Sequence, residues 1–333
     1  MVGLGSIGRR HLRLAREVLP SAKIAVLRHH PDQAVPSGAD QSFSTIDQAL
    51  AFAPQMAVIA NPANFHLSVA IPLARAGVHL LIEKPLSVSV KGVAELLDVC
   101  DAAQARLVTG YNLRYLSSLQ QFKSLLDENV IGPVWSVRCE TGQSLLNWRP
   151  GTDYRQGVSA QQALGGGALL ELSHEFDYLR WIFGEVAWVQ ATLSKQSDFE
   201  IDVEDTVHLI MGFQAKSGEN RLVASVNVDF MRQDTTRLCT AIGKLGSLRW
   251  NGVSGTVELF GSDAQCWKEV CRDKVVRDES YLAEWRDFVS AIEGSTQPLI
   301  GAEDGLEVLH IIDAVRLAAS TASRTYVNRL HDL

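Results

Sequence analysis

Two side chains in this sequence are suited to stabilising an oxyanion and moving a proton. Lys84 follows the apolar run Val78-His79-Leu80-Leu81-Ile82 and then Glu83. That places an ammonium at the carboxyl end of a predicted strand, where open α/β sheets bind ligands. There it can hydrogen-bond a reacting oxygen and favour its anionic form. His174 is the candidate base, because an unperturbed imidazole titrates near pH ~6.5. Glu171 and Asp177 stand three residues to either side of it. On one continuous helix all three share a face, so either carboxylate can orient the ring. An oxyanion stabiliser and a base are what oxidation of a secondary alcohol needs besides a hydride acceptor.

The chain also opens on a stretch suited to phosphate. Gly3-Leu4-Gly5-Ser6-Ile7-Gly8 is a G-x-G-x-x-G match, weak alone but followed by Leu12, Leu14, Ala15 and Val18 at helical spacing. A strand is predicted over residues 24–27, which makes the start of a β-α-β unit. In such a unit the glycines give a tight turn, let backbone approach a pyrophosphate, and pack helix against strand. The helix start at Ser6 and Ile7 offers N–H groups and a positive dipole end to the phosphates. At the end of the second strand an NAD site usually places an Asp or Glu on the ribose hydroxyls. Arg28 stands there instead, with His29 and His30 after it, and Asp32 comes too late, past Pro31. An arginine can pair with a 2′-phosphate and stack on adenine, and Arg9 and Arg10 add to the positive field. The expectation is NADP in preference to NAD, with a site that accepts both as the alternative.

These groups need a scaffold. Over the first ~110 residues apolar runs at 24–27, 56–60, 78–82 and 106–109 alternate with helical stretches at 64–76 and 89–103, the pattern of a parallel sheet with crossover helices. Only Met1 and Val2 precede Gly3, although the first strand of such a sheet is central and normally ~5 residues long. Either that strand is shortened or the start is placed late. From residue 134 strand-like runs follow one another at 134–141, 186–194, 205–213, 221–230, 236–242, 247–250 and 256–260. A helix over 167–183 stands among them, and helices at 281–293 and 302–323 close the chain. The fold class is therefore α/β: a doubly wound parallel Rossmann domain, residues 1–113, followed by an α+β domain with a large, predominantly antiparallel open sheet, residues 114–333. Val186, Trp188, Val207, Leu209, Met211, Val226 and Val228 supply more apolar strand positions than two or three helices easily cover. A homodimer or homotetramer through that sheet is expected.

Composition bounds the function. The 333 residues carry a formal net charge of −7, so no basic footprint for nucleic acid is present. The longest apolar region, 56–74, is broken by Asn61, Pro62, Asn64, His66 and Pro72, which argues against a membrane span. Five cysteines without a Cys-x-x-Cys pair suit reduced thiols in a cytoplasmic protein with no structural metal.

The motifs, taken in order, resemble the glucose–fructose oxidoreductase / inositol 2-dehydrogenase / rhizopine-catabolism (Gfo/Idh/MocA) family. They are residues 3–8 with His11, Asn61-Pro62-Ala63-Asn64-Phe65-His66, Glu83-Lys84-Pro85, Gly110-Tyr111-Asn112-Leu113-Arg114, and Gly165-Gly166-Gly167 with His174 and Asp177. The resemblance covers nearly the whole chain. It implies an NAD(P)-dependent oxidoreductase of sugars, nucleotide sugars or polyols, a cis peptide at Pro85, and Asn61, Pro62, Asn64 and His66 bordering the cofactor. Glu83 becomes a scaffold or nicotinamide-side residue. Asn112, Arg114, Trp148, Asp153, Tyr154, Arg155 and His174 are expected on the substrate side. Trp148-Arg149-Pro150-Gly151 and Leu172-Ser173-His174-Glu175 are similar to a branch associated with surface-polysaccharide sugars. The family places an aspartate four residues before the histidine, whereas here Glu171 stands three before. Two alternatives belong to other classes, a non-catalytic dinucleotide-binding regulator and an NAD-dependent glycosidase. A regulator has no need of both Lys84 and His174.

Overall fold

The computed structural model describes residues 1–29, 34–149, 151–214, 221–274, 276 and 278–327. His30, Pro31, Asp32 and Pro150 lie outside the described residues. The chain forms two compact units, Met1–Asn112 with Asp278–Leu309, and Leu113–Arg277 with His310–Leu333. The structure thus groups residues 278–309 with the N-terminal unit, where the sequence pattern suggested a single C-terminal domain.

The first unit begins with Met1 and Val2, whose backbone threads between two strands. Helix α1 (Ser6–Val18) follows, then β1 (Ala25–Leu27), β2 (Gln41–Phe43), α2 (Ile46–Ala51), β3 (Met56–Ile59), α3 (His66–Arg75), β4 (His79–Glu83), α4 (Val93–Ala102) and β5 (Leu107–Gly110). β1 pairs with β2, and β3 with β4 and β4 with β5, all in parallel. Val2 bridges the two groups, parallel to Leu27 on one side and Ile59 on the other. The N–H of Val2 donates to Val58 O at 2.8 Å and that of Ala60 to Val2 O at 2.9 Å. The Val2 segment thus occupies the central strand position of the parallel sheet. β2 and α2 carry no strong apolar period and escaped the sequence reading.

In the second unit come α5 (Ser117–Asp127), β6 (Val134–Gly142), α6 (Leu145–Trp148), α7 (Ala168–Glu171), α8 (His174–Phe183) and seven strands. These are β7 (Val186–Ser194), β8 (Thr206–Phe213), β9 (Val223–Asp229), β10 (Thr236–Gly243), β11 (Gly246–Asn251), β12 (Thr256–Gly261) and β13 (Lys268–Arg272). With β14 (Thr325–Tyr326) at one edge they make one nine-stranded sheet, in the order β13-β12-β11-β10-β6-β9-β8-β7-β14. Every neighbouring pair is antiparallel except β6 with β9. Helix α9 (Glu279–Ile292) belongs to the first unit, and the boundary between units falls inside α10 (Ala302–Thr321), after Leu309. In the first unit α9 contributes Trp285 and Phe288 to a core with Leu14, Ala15, Val58, Leu81 and Val108.

The sheet corrects the reason given for assembly. Val186, Val207, Leu209, Met211, Val226 and Val228 are all buried within the chain. They lie on the covered face, against which α5 and α7 pack and where Tyr178 of α8 meets Cys139. Trp188 points the other way, with the Arg324 guanidinium 3.9 Å over its ring. By register that other face carries Ile210, Val223, Leu238 and Ile242 interleaved with Arg138, Glu140, His208 and Asn227. It is a mixed surface, not a surplus of valines.

Candidate active site

The glycine turn shows which positions the chain needs for itself. Gly3 has φ +80°, and a Cβ there would lie 2.8–2.9 Å from backbone atoms of Ala60 and Asn61. A Cβ on Gly8 would meet Gly3 O at 2.2 Å, so α1 can approach the Val2 segment only with glycine at that place. Gly5 is different. No atom lies within 4 Å of its missing Cβ, and its φ of −64° suits any residue. It caps α1 without a side-chain hydrogen bond, and the first turn holds no acid. Space and an uncapped, positively polarised helix end at Ser6 and Ile7 face outward together, which fits a diphosphate.

Arg28 follows β1, with Nε donating to Ser42 Oγ at 3.0 Å and Nη2 to Ala34 O at 2.7 Å. Its guanidinium is thus held at the end of the second strand in sequence. Arg10 is engaged elsewhere, paired with Asp278 at 3.2 Å and lying 4.7 Å over the Tyr281 ring. Arg9 stays exposed.

After β3 the chain passes Asn61 and Pro62 into a single turn, Ala63–Phe65. Asn64 is exposed. Asn61 Oδ1 is buried without a hydrogen-bond partner among the described residues, an acceptor left for a donor from outside the chain. His66 turns inward. It is buried, with Nε2 2.9 Å from Asn61 O and Nδ1 3.1 Å from Pro85 O and 3.3 Å from Leu86 O. Burial pushes its pKa down, and the carbonyl hydrogen bonds oppose that. The ring clasps two loops at the carboxyl ends of β3 and β4 and presents no nitrogen to a cofactor.

β4 delivers Glu83 and Lys84. The Lys84–Pro85 peptide is cis. Lys84 is half-buried, and its backbone N–H donates to Glu83 Oε2 at 3.2 Å. Glu83 Oε1 lies 2.6 Å from His11 Nε2. A Cβ on Gly110 of β5 would come within 3.2 Å of Glu83 Oε2, so the glycine makes room for the carboxylate. The Glu83 carboxylate is thus held between His11 and the Lys84 amide. Asn112 is also tied inward, donating from Nδ2 to Ser280 Oγ at 2.8 Å.

The second unit holds the remaining candidates. His174 starts α8 and is 9% exposed. The predicted continuous helix is broken at Leu172 and Ser173, with α7 ending at Glu171, so Glu171 and His174 do not share one regular helix. Asp177 is buried, and both its oxygens accept from Arg114: Oδ2 from Nε at 3.0 Å and Oδ1 from Nη2 at 2.6 Å. Arg114 and Asp177 are thus paired with each other inside the second unit. Glu171, the last residue of α7, is half-buried.

Trp148 donates to Gln143 O at 3.1 Å and packs edge-on to Phe230. Arg155 pairs with Asp153 at 2.9 Å and Glu200 at 2.7 Å, and Tyr154 stacks near Phe199. The pairing lowers the Asp153 pKa, chiefly through the Arg155 side chain. Trp148, Asp153 and Tyr154 line a cavity of about 230 Å³, together with Arg149, Thr152 and Gln156, which the sequence reading did not select. The larger cavity, about 840 Å³, adjoins Ile24, Ala25, Met56 and Ala57 at the starts of β1 and β3. That is the opposite end of the sheet from Gly5 and Lys84, and no candidate residue lines it. Among the described residues no His, Cys, Asp and Glu side chains gather as a metal site, and no helix is long and apolar enough to cross a membrane.

The pattern described as an oxidoreductase family with an NAD-binding Rossmann fold matches residues 1–111, and the GFO/IDH/MocA C-terminal domain matches residues 119–249. The chain belongs to the Gfo/Idh/MocA family. This Gfo/Idh/MocA protein is 24% identical to an inositol 2-dehydrogenase of Rhizobium meliloti, over 94% of each chain. It is 30% identical to an uncharacterised oxidoreductase of Synechocystis and 26% identical to the rhizopine catabolism protein MocA of Rhizobium meliloti. Those two matches span only 41% and 56% of the relatives' lengths. Among solved structures, a levoglucosan dehydrogenase in complex with NADH superposes with a TM-score of 0.86 at 22% identity, over 99% of this chain and 98% of that one. The WlbA dehydrogenase from Bordetella pertussis, with NADH and UDP-GlcNAcA, gives 0.82 at 22% identity, over 98% and 96%. At such identities the superpositions establish the fold: a Rossmann unit and a large mixed, mostly antiparallel sheet.

Proposed function

We propose that this protein transfers a hydride between a nicotinamide dinucleotide and a secondary alcohol or ketone of a sugar, nucleotide sugar or polyol. The observation that carries the reading is that Lys84 and the open turn at Gly5 sit at carboxyl ends of the same parallel sheet. Bound nicotinamide supplies the hydride acceptor or donor. Gly5, the α1 terminus and Asn61 hold the dinucleotide, and Arg28 favours NADP over NAD. Lys84 Nζ hydrogen-bonds the reacting oxygen and His174 exchanges its proton, with Glu171 as the assisting carboxylate. Met1–Asn112 with Asp278–Leu309 act as the cofactor unit, and Leu113–Arg277 with His310–Leu333 carry the substrate site and the assembly surface. The mixed outer face of the nine-stranded sheet joins copies of the chain into a dimer or tetramer in the cytoplasm. The relatives named for inositol and levoglucosan support polyol and sugar substrates.

The test is cofactor reduction, followed by absorbance, across sugars, polyols and nucleotide sugars, for the wild type and Lys84→Ala. Net NAD(P)H accumulation that depends on Lys84 supports a dehydrogenase. Turnover without net reduction points to a glycosidase. Tight dinucleotide binding with no turnover on any substrate points to a regulator.

A further inference from the structure

Lys84 is held by a chain of hydrogen bonds that reaches the far end of the sequence. Trp285, in α9, donates its indole N–H to His11 Nδ1 at 2.9 Å. An indole nitrogen can only donate, so Nδ1 must be the accepting nitrogen and carry no proton. The neutral ring then has its proton on Nε2, which faces Glu83 Oε1 at 2.6 Å. The other oxygen of Glu83 accepts the backbone N–H of Lys84. All four residues belong to the first unit. His11, Glu83 and Trp285 are buried, and Gly110 keeps the space the Glu83 carboxylate occupies.

We infer that Trp285 and His11 are positioning residues for Lys84, acting through Glu83. Trp285 selects the Nε2–H tautomer of His11. That tautomer pins one oxygen of Glu83 and leaves the second aimed at the Lys84 amide, which fixes the backbone from which the ammonium projects. The opposite tautomer would set an Nε2 lone pair against the carboxylate, and the 2.6 Å contact would be repulsive. His66 grips the carbonyls of Pro85 and Leu86 just beyond Lys84, so the turn is held on both sides. Neither Trp285 nor His11 is placed to touch substrate through this chain. Their effect is on where Lys84 sits.

The inference rests on the reading of Lys84 as the group at the reacting oxygen, but its test does not require that reading. In the wild-type protein with NADH present, nitrogen-15 spectra of the His11 ring should show a single Nε2–H tautomer. An Nδ1–H signal overturns the inference outright. Trp285→Phe keeps an aromatic ring in the core and removes only the donor. Exchange of the Lys84 amide proton should then speed up by about 5- to 10-fold, the worth of one hydrogen bond, while the NADH dissociation constant stays within about twofold. His11→Gln places an amide N–H where Nε2 was and should restore protection relative to His11→Leu. Adding Trp285→Phe to His11→Gln should have no further effect, because the glutamine has no tautomer to select. Additive effects, or unchanged Lys84 exchange in Trp285→Phe, refute the chain. In the turnover assay Trp285→Phe should lower kcat by about 10- to 100-fold, as a displaced reacting group does, with KM little changed. If Lys84→Ala keeps full turnover, the proposed function fails while the tautomer and exchange results stand.

Discussion

Asp177 stands one helical turn beyond His174, yet its carboxylate is filled by the Arg114 guanidinium, at 2.6 and 3.0 Å. Both side chains are almost fully excluded from water, and Arg114 lies 5.7 Å from the Trp181 ring centre. A pair this deep is costly to break, because the survivor is a bare buried charge. Asp177→Asn or Arg114→Met alone should each destabilise the second unit by about 3–5 kcal/mol, whereas a double apolar replacement should recover much of the loss. Thermal melts of the three variants check this. A single variant that melts like the wild type but loses turnover would instead make Asp177 a catalytic carboxylate.

The catalytic assignment predicts different losses at different residues. Lys84→Ala should lower turnover by about 10³-fold with dinucleotide binding nearly intact. His174→Ala should lower it by roughly 10²–10⁴-fold, and Glu171→Gln by less. Steady-state rates with a cofactor titration separate these outcomes. Near-normal turnover in either of the first two removes that residue from its role.

The glycine turn separates folding from binding. Gly5→Ala should leave the melting temperature unchanged, since its Cβ meets nothing and its backbone is unstrained. It should weaken dinucleotide binding markedly, because the added methyl fills the space for the phosphates. Gly8→Ala should destabilise the unit itself, because its Cβ would collide with Gly3 O. Melting curves and NADH fluorescence titration, run on both variants, read the two effects apart.

The proposed preference for NADP makes Arg28 the residue to test. Arg28→Ala should weaken NADP binding by at least tenfold, as the loss of a charge-assisted pair of ~1.5–3 kcal/mol implies, and change NAD binding little. Dissociation constants for both dinucleotides test it. Tighter wild-type binding of NAD, or no loss of NADP affinity, reverses the prediction.

Glu284 gives a pH prediction. Its carboxyl is fully buried, and neither oxygen has a partner among the described residues. Burial, then the nearby charges of Glu83 and Asp287, push its pKa well above the usual carboxylate value. The folded state therefore keeps a proton that the unfolded chain releases above about pH 4.5. Stability from this residue is full below that pH and declines as pH rises toward the folded-state value. Glu284→Gln removes the dependence. The variant should match the wild type near pH 4.5 and exceed it increasingly above, by up to about 1.4 kcal/mol per pH unit. Melting temperatures at pH 5, 6.5 and 8 measure the divergence, and parallel curves would reject it.

The legible parts of this protein are those with a local signal. Val78 to Ile82 announces a buried parallel strand, and the alternation in β8 and β9 announces a sheet with one covered face. Gly3, Gly8 and Lys84 are recognisable because turn geometry or charge after an apolar run restricts what can stand there. Residues whose task depends on distant partners were harder to read. His66 reads as a loop histidine until Asn61 and Pro85 are seen around it. Asp177 has the right spacing from His174, but nothing nearby in sequence reveals that Arg114 occupies it. Helical spacing across 167–183 concealed the break at Leu172 and Ser173. Nothing near Glu83 in sequence reveals His11 as its buried partner, and nothing near His11 reveals Trp285.

The place of α9 in the first unit also bears on synthesis. Leu14, Leu81 and Val108 pack against Trp285 and Phe288, which leave the ribosome only after all of Leu113–Arg277 has been made. At roughly 5–20 residues per second, the nascent Rossmann unit waits about 10–30 s with that apolar surface uncovered. Through that interval it is exposed to chaperones and to sticking to its neighbours. A stop codon anywhere before residue 278 yields a dinucleotide fold without its last wall, so residues 278–309 serve as a completeness check on residues 1–112.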